Sequence, residues 1–112
     1  MEAQPLTKDE YVARALAAYR STPGTTGTVR RPDRQLAAQL YDGGVPLVII
    51  ENALVLTAAR RLVRPSGAAP LPTIRSLAYF TPVNEEVSTL RVGPDYFRYL
   101  RQKLERHNQA AR

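Results

Sequence analysis

Hydrophobic residues recur every three or four positions along most of this chain, which is the spacing of an amphipathic helix. Near the N-terminus, Thr7-Lys8-Asp9-Glu10 has the pattern of a capping box, in which Thr7 and Glu10 each accept a hydrogen bond from the other's backbone N–H. The apolar residues that follow at helical spacing are Tyr11, Ala15, Leu16 and Tyr19. The pattern predicts a first helix that ends near Arg20. A flexible loop should follow from Ser21 to Val29, because this stretch holds one proline and two glycines.

Two further helices are predicted on either side of a glycine turn. The second begins near Pro32, a residue favoured in a first helical turn, and Asp42-Gly43-Gly44 ends it. Pro46 begins the third helix, and from Leu47 to Val63 apolar residues occupy nearly every face. A helix that is apolar all round is usually buried, so the third helix is expected at the centre of the fold.

The segment from Leu71 to Val87 is expected to form a fourth helix that Thr73 caps and Pro82 interrupts. Proline lacks an N–H donor and clashes with the preceding turn, so the helix should bend or restart there. Thr81 directly precedes the proline and is therefore disfavoured in the helical conformation. The proline-rich connector from residue 65 to residue 72 should be semi-rigid.

A fifth helix is predicted to begin at Gly93-Pro94-Asp95, with Phe97, Leu100 and Leu104 on its buried face. Five helices with short links, and no alternating run long enough for a sheet, predict an all-α fold. We expect a compact bundle of about five helices around a central buried helix. The 112 residues should form a single domain, with residues 1–6 and 108–112 disordered.

The charge of the chain gives the first indication of a partner. It holds 16 basic and 10 acidic residues, a net charge of +6, and 14 of the basic residues are arginine. Residues 1–29 have no net charge, whereas residues 30–64 and residues 65–112 each have a net charge of +3. This excess favours a polyanionic partner, nucleic acid before acidic protein. A basic surface that serves only solubility is the alternative.

The predicted interface consists of three groups of basic and aromatic residues together with Arg75 and Tyr79 from the segment between Leu71 and Val87. Arginines flank the flexible loop and the second helix. Others lie at the end of the third helix, where compensation of the helix dipole is an equally good explanation. The fifth helix interleaves aromatic and cationic side chains, a pattern that suits stacking of single-stranded bases. The predicted nucleic-acid-binding residues are Arg30, Arg31, Arg34, Arg60, Arg61, Arg64, Arg75, Tyr79, Arg98, Tyr99, Arg101 and Lys103. DNA is the expected partner rather than RNA.

The residue types used in catalysis and metal binding are sparse. The chain has no cysteine and one histidine, His107, near its C-terminus. Glu85-Glu86 is a pair of adjacent acidic residues, but adjacent helical residues point about 100° apart, so a surface location explains it better than acid–base chemistry. We expect no metal, no cofactor and no enzymatic activity. Without a secretory signal or an apolar run of about 20 residues, the expected location is the cytoplasm and not a membrane.

Two alternatives to backbone binding of nucleic acid remain open. The second and third helices have the outline of a helix-turn-helix transcription regulator. However, Leu47, Val48, Ile49 and Ile50 stand where polar base-reading side chains would be needed, and we expect them in the core. The other alternative is a protein–protein adaptor or a small subunit of a nucleoprotein complex. The segment around Pro82 and Glu85-Glu86 would then form the interface.

Three stretches of the chain resemble a known family. They are Gly43-Gly44-Val45-Pro46-Leu47, then Ile50-Glu51-Asn52-Ala53-Leu54, and, after the proline-rich connector, Ile74-Arg75-Ser76-Leu77-Ala78-Tyr79-Phe80. This order, over residues 31–87, resembles the C-terminal domain of DnaD-type replication proteins, which are primosome and helicase-loader accessory factors. The family's tyrosine motif continues with an Ile-Leu pair, and the residues after Tyr79 lack it. The resemblance implies a helical DNA-associated accessory factor, in replication or on a mobile genetic element, that also contacts protein partners.

Overall fold

A computed structural model describes residues 6–62, 67–69, 71–90 and 93–110, with side chains as far as Arg106. Its elements are α1 (Lys8–Ser21), α2 (Arg31–Asp42), α3 (Leu47–Leu62), a 3₁₀ helix (Leu77–Phe80), α4 (Thr81–Thr89) and α5 (Pro94–Ala110). Apart from one isolated bridge, these described residues contain no β structure. The prediction of an all-α bundle of five helices is confirmed.

The first two helices begin and end where local sequence signals place them. The capping box of α1 is formed, with the Glu10 N–H 3.1 Å from the Thr7 hydroxyl and the Thr7 N–H 3.2 Å from the Glu10 carboxylate. Pro32 lies in the first turn of α2, and Gly43 follows its last residue. The two helices pack against each other and run antiparallel, since Lys8 at the start of α1 pairs with Asp42 at the end of α2 at 3.0 Å.

Helix α3 lies between the other helices, as predicted for the central helix. One of its faces packs against α1, and another packs against α4 and α5. Two hydrophobic clusters result. The first cluster has as its buried residues Tyr11, Ala15, Leu16, Tyr19, Ala37, Ile50, Leu54, Ile74, Leu77 and Phe80. The second has Ala53, Leu56, Ala59, Val87, Phe97 and Leu100.

The segment before the 3₁₀ helix is extended, so the prediction of a helix capped by Thr73 is wrong. Ile74 forms a parallel bridge with Thr25. The Ile74 N–H donates to the Gly24 carbonyl at 2.7 Å, and the Thr26 N–H donates to the Ile74 carbonyl at 3.0 Å. A helix would have to satisfy these groups internally, whereas here the loop after α1 satisfies them and Ile74 enters the core. The same bonds hold the loop that the sequence suggested would be flexible.

Pro82 begins a helix and does not kink one. It lies in the first turn of α4, where no intrahelical N–H donor is needed. The chain before it closes into a 3₁₀ turn instead of a continuous α-helix. Of the two predicted outcomes at Pro82, a bend or a restart, the structure has the restart. Thr81 is helical, with φ −54° and ψ −47°, although a residue that precedes proline is disfavoured in this region.

Of the apolar residues expected in the core at the start of α3, Leu47 and Ile49 are half-buried and Val48 is exposed. The Val48 side chain is 52% exposed, whereas Ile50 is fully buried. Val48 lies on the side of α3 that faces an open groove between α1 and α5, and none of the described helices covers it. Helix α2 packs mainly on α1, so α2 and α3 do not form the closely packed pair that a helix-turn-helix requires.

Arg61 links the loop after α1 to the extended segment. Its guanidinium donates a hydrogen bond of 2.8 Å to the Pro72 carbonyl. The same group lies over Gly24, where an added Cβ would come within 3.0 Å of the Arg61 Nε. Gly24 has a φ of +93°, which other residues adopt only with strain.

Replacing Gly24 with alanine should destabilise the fold more than the same change at Gly27. Both glycines have positive φ, so each substitution should cost about 1–2 kcal/mol of backbone strain. Only at Gly24 does the new methyl group also displace Arg61, because nothing lies within 4 Å of a Cβ at Gly27. Urea denaturation measures the loss of unfolding free energy for each glycine substitution. The measurement is made both in the parent chain and in a chain that carries Arg61→Ala. Equal losses at the two glycines in the parent chain would contradict the assigned contact.

Candidate nucleic-acid interface

A buried carboxylate brings the first group of predicted arginines together. Asp33 is 2% exposed. One of its oxygens accepts from the Arg30 N–H at 2.8 Å, and the other accepts from the Leu77 N–H at 2.9 Å. The start of α2 and the segment that carries Arg75 are therefore held side by side. We call the four exposed residues around this carboxylate the arginine cluster: Arg30, Arg31, Arg34 and Arg75.

The arginine cluster is not explained by helix stability. Three of its members lie at the N-terminal end of α2, which carries the positive end of the helix dipole and disfavours cations. None of the four forms an ion pair with another described residue. Asp33 supplies one buried negative charge beneath them. The exposed guanidinium groups are free to bind an external anion.

Tyr19 completes the buried side of this junction. Its ring is fully buried and meets Phe80 edge to face, with 6.1 Å between the ring centroids. Burial raises the pKa of the Tyr19 hydroxyl, and the nearby charge of Asp33 raises it further. The Tyr19 hydroxyl therefore stays protonated, and the Tyr19–Phe80 pair is an uncharged part of the interior near the Asp33 carboxylate.

The arginines at the end of α3 have partners within the fold. Arg60 forms a two-point ion pair with Glu86 of α4, with 3.0 Å between one guanidinium nitrogen and a carboxylate oxygen. Its hydrogen bonds and charge hold the pKa of Glu86 below its usual range, and the same contact raises the pKa of Arg60. Arg61 is bound to Pro72 as described above. Arg64 lies outside the described residues.

The predicted faces of α5 are confirmed. Phe97, Leu100 and Leu104 are buried. Tyr99 and Lys103 are exposed on another face. The remaining predicted cations make exposed contacts. Arg98 lies 3.5 Å from Asp95 in a pair that contributes little, since both side chains are largely in water, and Arg101 donates to the Asn52 side chain at 3.0 Å.

Two shallow grooves lie on either side of Arg60. The α5 groove, of about 480 Å³, is lined by Leu56, Ala59, Arg60, Tyr96, Tyr99, Leu100 and Lys103. The Tyr79 groove, of about 450 Å³, is lined by Thr57, Arg60, Arg61, Leu71, Tyr79, Pro82 and Val83. Because Arg60 lines both grooves, they adjoin. The structure thus brings the predicted residues Arg60, Arg61, Tyr79, Tyr99 and Lys103 onto one connected surface.

A third groove differs from these two in charge. It lies between α1, α3 and α5, has a volume of about 490 Å³, and includes Glu51, Arg101 and Glu105 in its lining. Two carboxylates against one guanidinium make it a poor site for a polyanion. The two grooves that adjoin at Arg60 and the arginine cluster therefore carry the excess of positive charge among these surfaces.

Three features of the interface were not identified from the sequence. The sequence places Asp33 in the first turn of the second helix, where an acid complements the helix dipole, but its role as an acceptor for two separate segments follows only from the fold. The sequence predicts a surface location for Glu85-Glu86, but the ion pair of Glu86 with Arg60 follows only from the fold. Tyr96 was omitted, although a signal existed, since Tyr96, Tyr99 and Lys103 follow one another at three- and four-residue spacing.

The described part of the chain holds no group of three or more histidine, cysteine, aspartate or glutamate side chains suited to a metal ion. Within the same residues, no helix has the length and apolar character needed to cross a bilayer. Comparison of the chain with protein-family models, curated proteins and solved structures finds no match.

Replacing Asp33 with alanine should lower the free energy of unfolding by about 2–4 kcal/mol. The change leaves the N–H groups of Arg30 and Leu77 without a charged acceptor in a buried place. Asp42→Ala is the matched control on the same helix, because its exposed pair with Lys8 should contribute at most about 1 kcal/mol. Chemical denaturation of both variants checks the contrast. Similar losses at the two positions would refute the role given to Asp33.

The Arg60–Glu86 pair should be visible in a pH titration. The folded-state pKa of Glu86 is lowered. The pair therefore adds stability above the pKa of the unfolded carboxyl, and this contribution is lost as the pH falls through the folded-state pKa. NMR titration of the side-chain carboxyl carbon should give Glu86 a pKa below the usual range of glutamate. Arg60→Gln should raise the Glu86 value toward its usual range, and an unchanged value would exclude the pair in solution.

Proposed function

We propose that this protein is a non-enzymatic, nucleic-acid-associated accessory protein that binds mainly the phosphate backbone. The observation that carries the proposal is the arginine cluster. Its four exposed guanidinium groups lack ion-pair partners among the described residues, and three of them stand at a helix end that disfavours cations. Arginine suits this role because its planar fork donates two parallel hydrogen bonds to a phosphate.

The overall charge supports the same proposal. A net charge of +6 on 112 residues attracts a polyanion from a distance and speeds association. Binding of this kind is weakly sequence-specific, because phosphate contacts position a protein without reading bases. The members of the arginine cluster lie at a helix start and in an extended segment, and neither element presents a helix face suited to the major groove.

The biological setting is also a proposal. The resemblance to DnaD-type C-terminal domains over residues 31–87 supports DNA rather than RNA, and a role in replication or on a mobile genetic element in the cytoplasm. A factor of that type also contacts another protein of the same machinery.

Salt dependence tests the electrostatic mechanism. Fluorescence anisotropy with labelled DNA should show affinity that falls steadily from low to physiological salt. Arg34→Gln or Arg75→Gln should weaken binding several-fold. Each should also reduce the slope of log affinity against log salt by about 0.7–0.9, the value for one lost phosphate contact.

Arg14→Gln is the matched control, since it removes the same charge from an exposed position on α1 outside the predicted interface. It should leave the salt slope nearly unchanged. Affinity that does not depend on salt would refute the electrostatic mechanism. If micromolar protein retains neither DNA nor RNA, and a pull-down recovers one defined protein partner, the adaptor alternative replaces this proposal.

A further inference from the structure

The two grooves that adjoin at Arg60 concentrate exposed aromatic rings. Six large hydrophobic side chains are exposed among the described residues, and four of them line these grooves: Leu71, Tyr79, Tyr96 and Tyr99. The three tyrosine rings are between 43% and 52% exposed. Each leaves enough ring surface in water for a planar partner, and none is needed to fill either hydrophobic cluster.

Two of these rings are held in the same way by a buried phenylalanine. Tyr79 meets Phe80, and Tyr96 meets Phe97. In both pairs the ring centroids are 5.5 Å apart and the planes meet at 75°. Phe80 is fully buried and Phe97 is 4% exposed, so each exposed ring rests on a fixed support. Ligand binding therefore orders these rings at little further cost in conformational entropy.

Cations line the same two grooves as the rings. Arg61 lies in the Tyr79 groove, Arg60 lies where the grooves meet, and Lys103 lies in the α5 groove. Among the described residues that line either groove none is acidic, in contrast to the groove with Glu51 and Glu105, although Glu86 pairs with Arg60 at the junction. A ligand with flat apolar groups joined by regularly spaced negative charges matches this arrangement.

We propose that the α5 groove and the Tyr79 groove form one site for single-stranded nucleic acid. This inference rests on the proposed function and names the form of nucleic acid that the protein takes. Unpaired bases stack on Tyr79, Tyr96 and Tyr99, while Arg60, Arg61 and Lys103 lie against the phosphates. In a duplex both faces of each base are covered by its neighbours, so only an unstacked strand brings free base faces to these rings.

Glu86 competes with the strand for Arg60. In the free protein the Glu86 carboxylate accepts hydrogen bonds from the Arg60 guanidinium at the junction of the grooves. A phosphate at this junction must displace the carboxylate or share the guanidinium with it. The ion pair therefore weakens binding at the centre of the site, and its removal should strengthen binding.

Ring replacements test the stacking contacts. The probes are labelled 20-mers of oligothymidine and oligouridine and a mixed-sequence DNA duplex of the same length. Tyr79→Ala, Tyr96→Ala and Tyr99→Ala should each weaken single-strand binding by about five- to a hundredfold, the range for loss of one stacked base. The matched Tyr→Phe variants keep the ring and should bind like the parent chain. Duplex affinity should change little in either set.

Intrinsic fluorescence supplies an independent readout. The chain has six tyrosines and no tryptophan, so its emission comes from tyrosine alone. Stacking on bases should quench part of this emission when oligothymidine is added. Each Tyr→Phe variant in the grooves should lose part of the quenching while keeping its affinity. Comparison of oligothymidine with oligouridine shows whether the sugar matters.

Two isosteric substitutions test the junction. Glu86→Gln should bind oligothymidine several-fold more tightly than Glu85→Gln. Both remove one negative charge from α4, but only the first releases Arg60, since Glu85 forms no ion pair with a described residue. Circular dichroism and thermal melts establish that all variants fold.

The outcomes separate this inference from the proposed function. Salt-dependent binding with equal affinity for single strand and duplex, unchanged by the Tyr→Ala variants, overturns the single-strand site and leaves backbone binding by the arginine cluster. Equal affinities of Glu86→Gln and Glu85→Gln overturn the competition at Arg60. Absence of binding to all three probes overturns both proposals.

Discussion

The arrangement of this fold depends on one buried carboxylate that accepts hydrogen bonds from two distant parts of the backbone. Asp33 joins the start of α2 to the N–H of Leu77, 44 residues later in the chain. A charged acceptor with little water around it must be satisfied by the protein, and here two backbone donors meet this need. With Leu77 fixed, Ile74 and Phe80 on either side of it also enter the first hydrophobic cluster. The basic surface is a consequence of the same bond, because Arg30 and Arg75 flank the two segments that it joins.

The central helix determines where the grooves lie. Helix α3 gives one face to the first hydrophobic cluster and another to the second. Arg60, near the C-terminal end of α3, lies beside α5 in the α5 groove and beside α4 in the Tyr79 groove. Helices that meet at an angle leave open space beyond their closest contact. The rings of Tyr79 and Tyr96 lie along that space, each against a phenylalanine that anchors its own element.

Much of the fold follows from local signals in the sequence. The capping box at Thr7, Pro32 in a first turn and the glycines after Asp42 place the limits of α1 and α2. Sequence reasoning failed between residues 71 and 81, because the extended backbone around Ile74 is stabilised by the loop at Gly24 and Thr26, about 50 residues earlier. Such pairing leaves no periodic pattern. The failure at Val48 is of the same kind, since an apolar residue on a helix is buried only if another element covers it.

The candidate site could be predicted only in part, for a related reason. Composition and spacing identify which side chains are basic or aromatic, and the opposite faces of α5 followed from them. They do not show which cations are already paired within the protein, as Arg60 is with Glu86, or which groups from separate helices adjoin. Those facts depend on the angles between helices, which packing sets across the whole chain.

The second hydrophobic cluster lies where α4 and α5 pack against α3, and we call this contact the seam. Helices α4 and α5 pack mainly on α3, whereas α1 and α2 lie on the opposite side and the 3₁₀ helix connects to α4. A unit attached along one helix can open without global unfolding, and native-state hydrogen exchange detects such openings as cooperative loss of amide protection. The α5 groove lies across this seam. Leu56 and Ala59 of α3 line one side of it, and Tyr96 and Tyr99 of α5 line the other. A ligand that contacts both α3 and α5 binds only when these helices are packed together. Its binding energy therefore also stabilises the second cluster against local opening.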